Sequence, residues 1–338
     1  MGKKIKEHYV PKGYLESWCI PNKNQVHIFD KKQEKSRINH IDDVASERFF
    51  YDLNLAGMTE EEIRRYGLDG IDLSNFDENQ YIENSFANNI EGAYKDLLSH
   101  IIDRAQSMTP WEIENCHFIT SDDVVKFSVF MAFQDIRVKS IRQNIEDTSN
   151  CIQQILTDVG ASESTINEYM VSASASKLIH GRMIFNIKEI CEIAHIFSNH
   201  IWILLVNKTK TSFYTSDNPI GTTAHIHDSI LGMNGINNRG VEIYFPLSPN
   251  VLLLLFEKSY HQEFSKYDRR VLEIFDVAVV EKYNSKCTLN ALRLVVSNSN
   301  DFSIIDRMID RNPNILQQPK TTLIWGDKVY VPNNKVKK

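Results

Sequence analysis

Apolar positions recur along this chain with two different periods. Between residues 77 and 105, Ile82, Phe86, Ile90, Tyr94, Leu97, Ile101 and Ala105 fall three or four positions apart. That spacing stacks side chains on one helical face and predicts a long amphipathic helix. A second helix is expected from 121 to about 144. Ser121 offers a cap, and Asp122 and Asp123 sit at the positive end of its dipole. Its 129–133 stretch, VFMAF, is apolar all round, the sign of a buried central helix. Further helices are expected around 150–158, 162–178 and 187–198.

Toward both ends the period falls to two. Residues 22–35 alternate around Val26 and Ile28 between turn residues, predicting a strand and a hairpin with 36–41. Before it, Pro11 suits the first position of a short helix that puts Tyr14, Leu15 and Trp18 on one face. Residues 44–50 read as a short helical or irregular corner, and 52–75 as a surface loop with one helical turn at EEEIRR. Beyond 200, IWILLVN (201–207) and TSFYTS (211–216) predict a hairpin, and 242–249 with 251–257 a second strand pair. Helices are expected at 268–283 and 285–296, and a last strand pair at 321–332. The Gly/Asn-rich stretch 217–240 reads as a long loop, a place where function often resides. The fold expected is α+β: a helical middle flanked by N-terminal and C-terminal antiparallel strands that meet around one core. Residues 1–310 form a single domain in this reading, and 311–338 a C-terminal strand pair with a basic tail.

Composition supports a globular chain. It has 338 residues, 42% of them hydrophobic, enough to bury a sizeable core and exclude global disorder. The net charge of −6 argues against coating nucleic acid non-specifically. The charge is uneven: residues 1–37 carry +5 and residues 42–123 carry −14. The most apolar windows, 201–206 and 251–256, are far shorter than the ~20 residues of a spanning helix, so no membrane span is expected. The N-terminal MGKKIKEHYV has no apolar run of signal-peptide length, and Lys6 breaks the myristoylation pattern. Five widely spaced cysteines, with no CxxC, fit reduced thiols in a cytoplasm. There is no GxGxxG, Walker A loop, HExxH or GxSxG, so nucleotide-fold dehydrogenases, P-loop ATPases and serine hydrolases of the usual type are not expected.

Several polar residues stand where chemistry could use them. His8, at a Pro/Tyr corner, is a candidate general base or phosphate contact. Glu47 lies among aromatics, where a carboxylate needs a cation or a raised pKa. Glu83 and Glu91 border the apolar stripe of the first long helix. Gln134 and Arg137 follow VFMAF and must find partners if that helix is central. Arg137 is expected to pair with Glu83 or Glu91. Asp217 and Asn218, in SDNP directly after a strand, offer oxygen ligands or an Asx-type turn. In HIH (225–227) the two imidazoles suit a metal if extended, without a third ligand at a telling distance.

These segments occur in order: HYVPKGYLESW, IFDKK, VASERFFY, IENSFANNIEGAY, FMAFQDIRVKSIR, TSDNPI and EIYFPLSP. Together they resemble the prokaryotic family known as domain of unknown function 4238, over residues 7 to about 300. Members typically open with HHYVP, where this chain has Glu7-His8. The resemblance implies a bacterial intracellular protein without an established activity, and it raises the polar motif residues together as a pocket. The first functional expectation is a metal-dependent nuclease or phosphodiesterase of defence (phage defence) or toxin type, acting on nucleic acid or nucleotides. His8, Glu47, Asp217 and Asn218 would be catalytic and Gln134 and Arg137 would bind substrate. Glu47, Glu83, Glu91 and Asp217 would hold Mg2+ or Mn2+. The alternative is a non-catalytic module that binds a ligand or partner in the same pocket.

Overall fold

A computed structural model describes residues 6–51, 59–66, 91–226 and 234–332. The chain opens with β1 (Lys6–His8), α1 (Lys12–Leu15), β2 (Gln25–Asp30), β3 (Lys35–His40) and β4 (Ser46–Arg48). The helical middle follows: α2 (Glu60–Arg65), α3 (Glu91–Ser107), α4 (Pro110–Asn115), α5 (Ser121–Arg137), α6 (Lys139–Asp158), α7 (Glu163–Glu168), α8 (Ala173–Phe185) and α9 (Ile187–Ser198). After it come β5 (Ile201–Asn207), β6 (Thr215–Ser216), β7 (Gly221–Ala224), β8 (Val241–Ser248), β9 (Val251–Phe256) and β10 (Arg270–Ile274). The chain then runs through α10 (Val277–Asn290), β11 (Leu294–Ser297), α11 (Ser303–Arg311), β12 (Leu323–Trp325) and β13 (Lys328–Tyr330). The fold is α+β.

The terminal strands meet as expected. A four-stranded antiparallel sheet has the order β3-β2-β11-β6, so the N-terminal hairpin pairs with a strand more than 250 residues away. A five-stranded sheet has the order β10-β5-β9-β8-β7, with β10 parallel to β5 and the other pairs antiparallel. β5, β8 and β9 are buried along their whole length, which is why they read as continuous apolar runs rather than alternations. In β7, Gly221 lies opposite Tyr244, whose ring fills the space a Cβ would need.

The central helix is α5. Phe127, fully buried, stacks near Tyr94 of α3 (centroids 6.0 Å) and Phe245 of β8 (6.3 Å) and meets Trp202 of β5 edge-on (6.2 Å). It thereby joins the helical layer to the five-stranded sheet. Burial of one such ring contributes roughly 1.5–3 kcal/mol. The main core also takes in Tyr14, Leu15 and Trp18 of the first helical segment. Two smaller clusters lie around Phe302 and beneath the β12–β13 hairpin, which packs on α6 through Cys151, Ile155 and Tyr330.

The structure corrects several local expectations. The corner at 44–50 contains strand β4, because its backbone pairs with β1. TSFYTS does not form a hairpin with β5: only Thr215 and Ser216 are extended, and they pair with β11. The helices expected at 268–283 and 285–296 are instead β10, α10 and β11, their strand character set by distant partners. The helix expected to reach 144 breaks at Val138, whose ψ of 153° is extended, and α6 starts afresh there. Pro11 and Thr120, rather than residues inside the helices, occupy the N-cap positions of α1 and α5. The loop 217–240 contains β7. No helix among the described residues is long and apolar enough to cross a membrane, and all five cysteines are unpaired.

Candidate functional site

The polar motifs gather around the β1–β4 ribbon and the break between α5 and α6. In the ribbon, Glu7 faces Glu47 and His8 faces Ser46. Side chains alternate along a strand, so Glu7 and Glu47 share one face and His8 takes the other. Tyr9, two residues beyond Glu7, stays in register through its N–H to the Ala45 carbonyl (3.0 Å) and returns to the Glu7 face. His8 Nε2 lies 3.4 Å from the Ile41 carbonyl. The register therefore separates His8 from Glu47, two residues expected to act together.

Ala45 and Phe49, which flank β4, both have left-handed backbones (φ 49° and 55°), a conformation that costs energy for side chains other than glycine. Cations hold the carbonyls that follow: Lys177 donates to Phe49 (3.2 Å) and Arg142 to Phe50 (2.9 Å). The Arg142 guanidinium also lies 4.2 Å from the Phe50 ring centroid and 3.3 Å from His180 Nδ1. His180 Nε2 meets the Ile136 carbonyl at 2.8 Å, so Nε2 carries the proton and Nδ1 accepts. Burial, then the Arg142 charge, pushes His180 down to about 4 and keeps it neutral.

Arg137, at the end of α5, is the structural hub. It donates to the His8 carbonyl (2.6 Å), to Glu91 Oε1 (3.1 Å) and to the Tyr51 hydroxyl (3.4 Å). Burial works against its charge, but Tyr51 and Glu91 more than offset that and hold its pKa up. On the other ribbon face, the buried Glu7 accepts the Tyr51 N–H at 2.7 Å, and Glu47 forms an ion pair with Lys139 at the start of α6.

Asp217 and Asn218 approach the same helix start from the sheet side. Asp217 Oδ1 accepts the Leu292 N–H (2.9 Å), and Oδ2 accepts those of Arg293 (2.9 Å) and Leu294 (3.0 Å). Burial pushes this carboxyl up to about 6, against the three backbone donors. Asn218 accepts from Ser140 Oγ (3.3 Å) and donates to the Asn290 carbonyl (3.2 Å), while Asn290 donates back to the Asn218 and Ile220 carbonyls. SDNP thus ties β6 to β11, α10 and the first turn of α6.

Tyr9 connects the two sides. Its ring is buried, and burial, then the Asp217 and Glu47 carboxylates, raise its pKa well above the ordinary phenol value against the opposing charge of Arg293. Its hydroxyl stays protonated and makes no hydrogen bond among the described residues. The first turn of α6 has no side-chain cap among the described residues, and its residues Lys139 and Ser140 carry the contacts to Glu47 and Asn218.

The other predicted residues are placed as follows. Gln134 is buried on α5, with both amide atoms lacking a hydrogen-bond partner among the described residues. Glu91 is committed to Arg137, and Glu83 lies outside the described residues. No group of three His, Cys, Asp or Glu side chains able to hold a metal occurs among the described residues. The expected Mg2+ or Mn2+ donors do not form a free set there: Glu47 is held by Lys139, Glu91 by Arg137 and Asp217 by backbone N–H groups. His225 Nε2 is bound to the buried Glu242 (2.7 Å), which also accepts Lys286 (2.8 Å); His227 lies outside the described residues.

Nothing in the residue pattern sets Tyr9, Lys139, Ser140 and Arg142 apart as candidates. Tyr9 sits within HYVP beside His8, and the other three within RVKSIR just after Arg137. No curated protein and no solved structure matches the chain. The model of one protein family, of unknown function, matches residues 6–301. That span covers the β1–β4 ribbon, the α5–α6 break and SDNP, and the chain belongs to this family, DUF4238.

Proposed function

We propose that the chain binds a phosphorylated ligand, a nucleotide or a nucleic-acid strand, where Tyr9, Lys139, Ser140 and Asn218 surround the start of α6. The observation that carries this is the Tyr9 hydroxyl: a protonated donor with no hydrogen bond among the described residues, in a cluster where the other motif residues are bonded. The start of a 20-residue helix without a side-chain cap among the described residues adds a positive dipole end. Lys139 would exchange Glu47 for the ligand's phosphate. Titrating nucleotides and a short labelled oligonucleotide against the full chain tests this. Binding should weaken with salt. Lys139→Ala should lower affinity at least ~10-fold, since a charge-assisted hydrogen bond is worth roughly 1.5–3 kcal/mol. Tyr9→Phe should weaken binding without lowering Tm. Equal binding by wild type and Lys139→Ala would sink the proposal.

Cleavage of a phosphodiester at this cluster, with Mg2+ or Mn2+, is a second proposal, and a defence or toxin role goes with it. Its support is Glu47, the most exposed of the described acids of the cluster, at 38% side-chain exposure against 28% for Glu91. If DNA, RNA and nucleotides all stay intact with either metal, and Glu47→Gln leaves phage plating and cell growth unchanged, the cleavage reading fails. Five unpaired thiols support the cytoplasmic placement that both proposals assume.

A further inference from the structure

A second feature lies one turn back along α5, on the side of α3 and Pro11. Gln134, Tyr94, Arg137, Glu91, Pro11 and Phe130 line a small recess with about 10 Å3 for the centre of a water-sized sphere. Gln134 and Tyr94 are 2% and 3% exposed. Gln134 Nε2, Gln134 Oε1 and the Tyr94 hydroxyl all lack a hydrogen-bond partner among the described residues. Three unpaired polar atoms around one recess need an explanation, because each costs roughly 1–3 kcal/mol when left buried and dry.

The chemistry of these atoms narrows what could fill the space. Gln134 Nε2 needs an acceptor and Oε1 needs a donor. The Tyr94 phenol, kept protonated by burial, offers a donor and a lone pair. A bare cation would leave Nε2 unsatisfied, and the Arg137 charge opposes it. A bare anion would leave Oε1 unsatisfied, and Glu91 opposes it. A hydroxyl satisfies both: its proton goes to Oε1 and its lone pairs accept from Nε2 and Tyr94. One water fits the same pattern, and a hydroxyl carried on a carbon skeleton reproduces those bonds when it displaces that water. Pro11 and Phe130 give the carbons apolar walls.

We propose that this recess is a hydroxyl-binding subsite, taking one hydroxyl of a sugar-like ligand, either a free sugar or the ribose of a nucleotide. It does not depend on the phosphate proposal, since none of the residues there line it. The test is saturation-transfer NMR on the full chain, with D-ribose, D-glucose, AMP and 2′,3′-dideoxy-AMP as probes. Transfer to ribose or glucose identifies a free sugar. Transfer to AMP that dideoxy-AMP lacks identifies a nucleotide ribose. Gln134→Leu, which removes both amide atoms from an apolar wall, should fold with unchanged or higher Tm and lose at least ~10-fold in affinity, and Tyr94→Phe several-fold. Lys139→Ala should leave free-sugar binding unchanged, which separates failure here from failure of the phosphate proposal. Absence of transfer from every hydroxylated probe, leaving a water as the only occupant, would overturn the inference. So would a Gln134→Leu protein that folds and binds like wild type.

Discussion

Replacing Asp217 with Ala tests the reading of SDNP most directly. The substitution leaves the N–H groups of Leu292, Arg293 and Leu294 without their acceptor at the start of β11. Each unsatisfied buried donor costs roughly 1–3 kcal/mol, and relaxation and water entry make the sum less than additive. Against this, the variant no longer has to bury a carboxylate. Raising that carboxyl from 3.8 to about 6 corresponds to roughly 3 kcal/mol at neutral pH. The net loss expected at pH 7 is therefore about 2–4 kcal/mol. Asp217→Asn, which keeps one acceptor oxygen but turns an amide N–H2 toward a donor, should lose about half as much. The pH dependence has a definite sign. A folded-state pKa above the unfolded value gives stability that is complete below about 3.8 and lost as pH rises through about 6. The gap between wild type and Asp217→Ala should thus narrow by roughly 2.5 kcal/mol from pH 4 to pH 7. Urea unfolding followed by circular dichroism at both pH values measures it. A loss under about 1 kcal/mol at pH 7, or a gap that widens as pH rises, would refute the assignment of Asp217 to the backbone of β11.

His180 should act in the opposite direction. Its folded pKa, near 4, lies below the unfolded value of 6.5, so its stabilisation is present above about 6.5 and lost as pH falls toward 4, by roughly 3 kcal/mol. His180→Gln should flatten that part of a Tm-against-pH curve, and an unchanged slope contradicts the burial argument. Arg137→Met should lower stability by about 2–4 kcal/mol in urea, since the His8 carbonyl and Tyr51 hydroxyl lose a charged donor. Arg137→Lys should recover little of this, because one ammonium cannot span three acceptors, and full rescue would argue for a generic charge effect. Phe127→Ala should cost roughly 3–5 kcal/mol, read from the same unfolding curves; a smaller loss would mean the α5–sheet contact is loosely packed.

Much of the architecture was legible in the chain because it rests on local pattern. Tyr94, Ile101 and Ala105 lie on the buried face of α3 as their spacing requires. The β2–β3 hairpin and the β8–β9 pair follow from alternation, or from short apolar runs between turn residues. The misreadings occur where local pattern is silent. β10 and β11, of five and four residues, are too short to show a period, and only their pairing with β5 and β2 makes them strands. Neither Gly nor Pro marks the α5–α6 break at Val138, so the local pattern there is that of a continuous helix.

The candidate site divides in the same way. The order of residue types along the chain singled out Arg137, Glu47, Asp217 and Asn218 as polar groups that need partners, and the expected Arg137–Glu91 pair is present. Which groups stand together was decided by tertiary structure. The β1–β4 register turns His8 away from Glu47 and brings Tyr9 toward it. The Asn218–Ser140 bond joins segments 78 residues apart. The packing of α3 on α5 leaves Gln134 and Tyr94 without polar partners among the described residues around one recess. The physical reason is range: periodicity, capping and turn chemistry act within a few residues and are written in the sequence, whereas register and burial depend on partners that only the folded chain brings together.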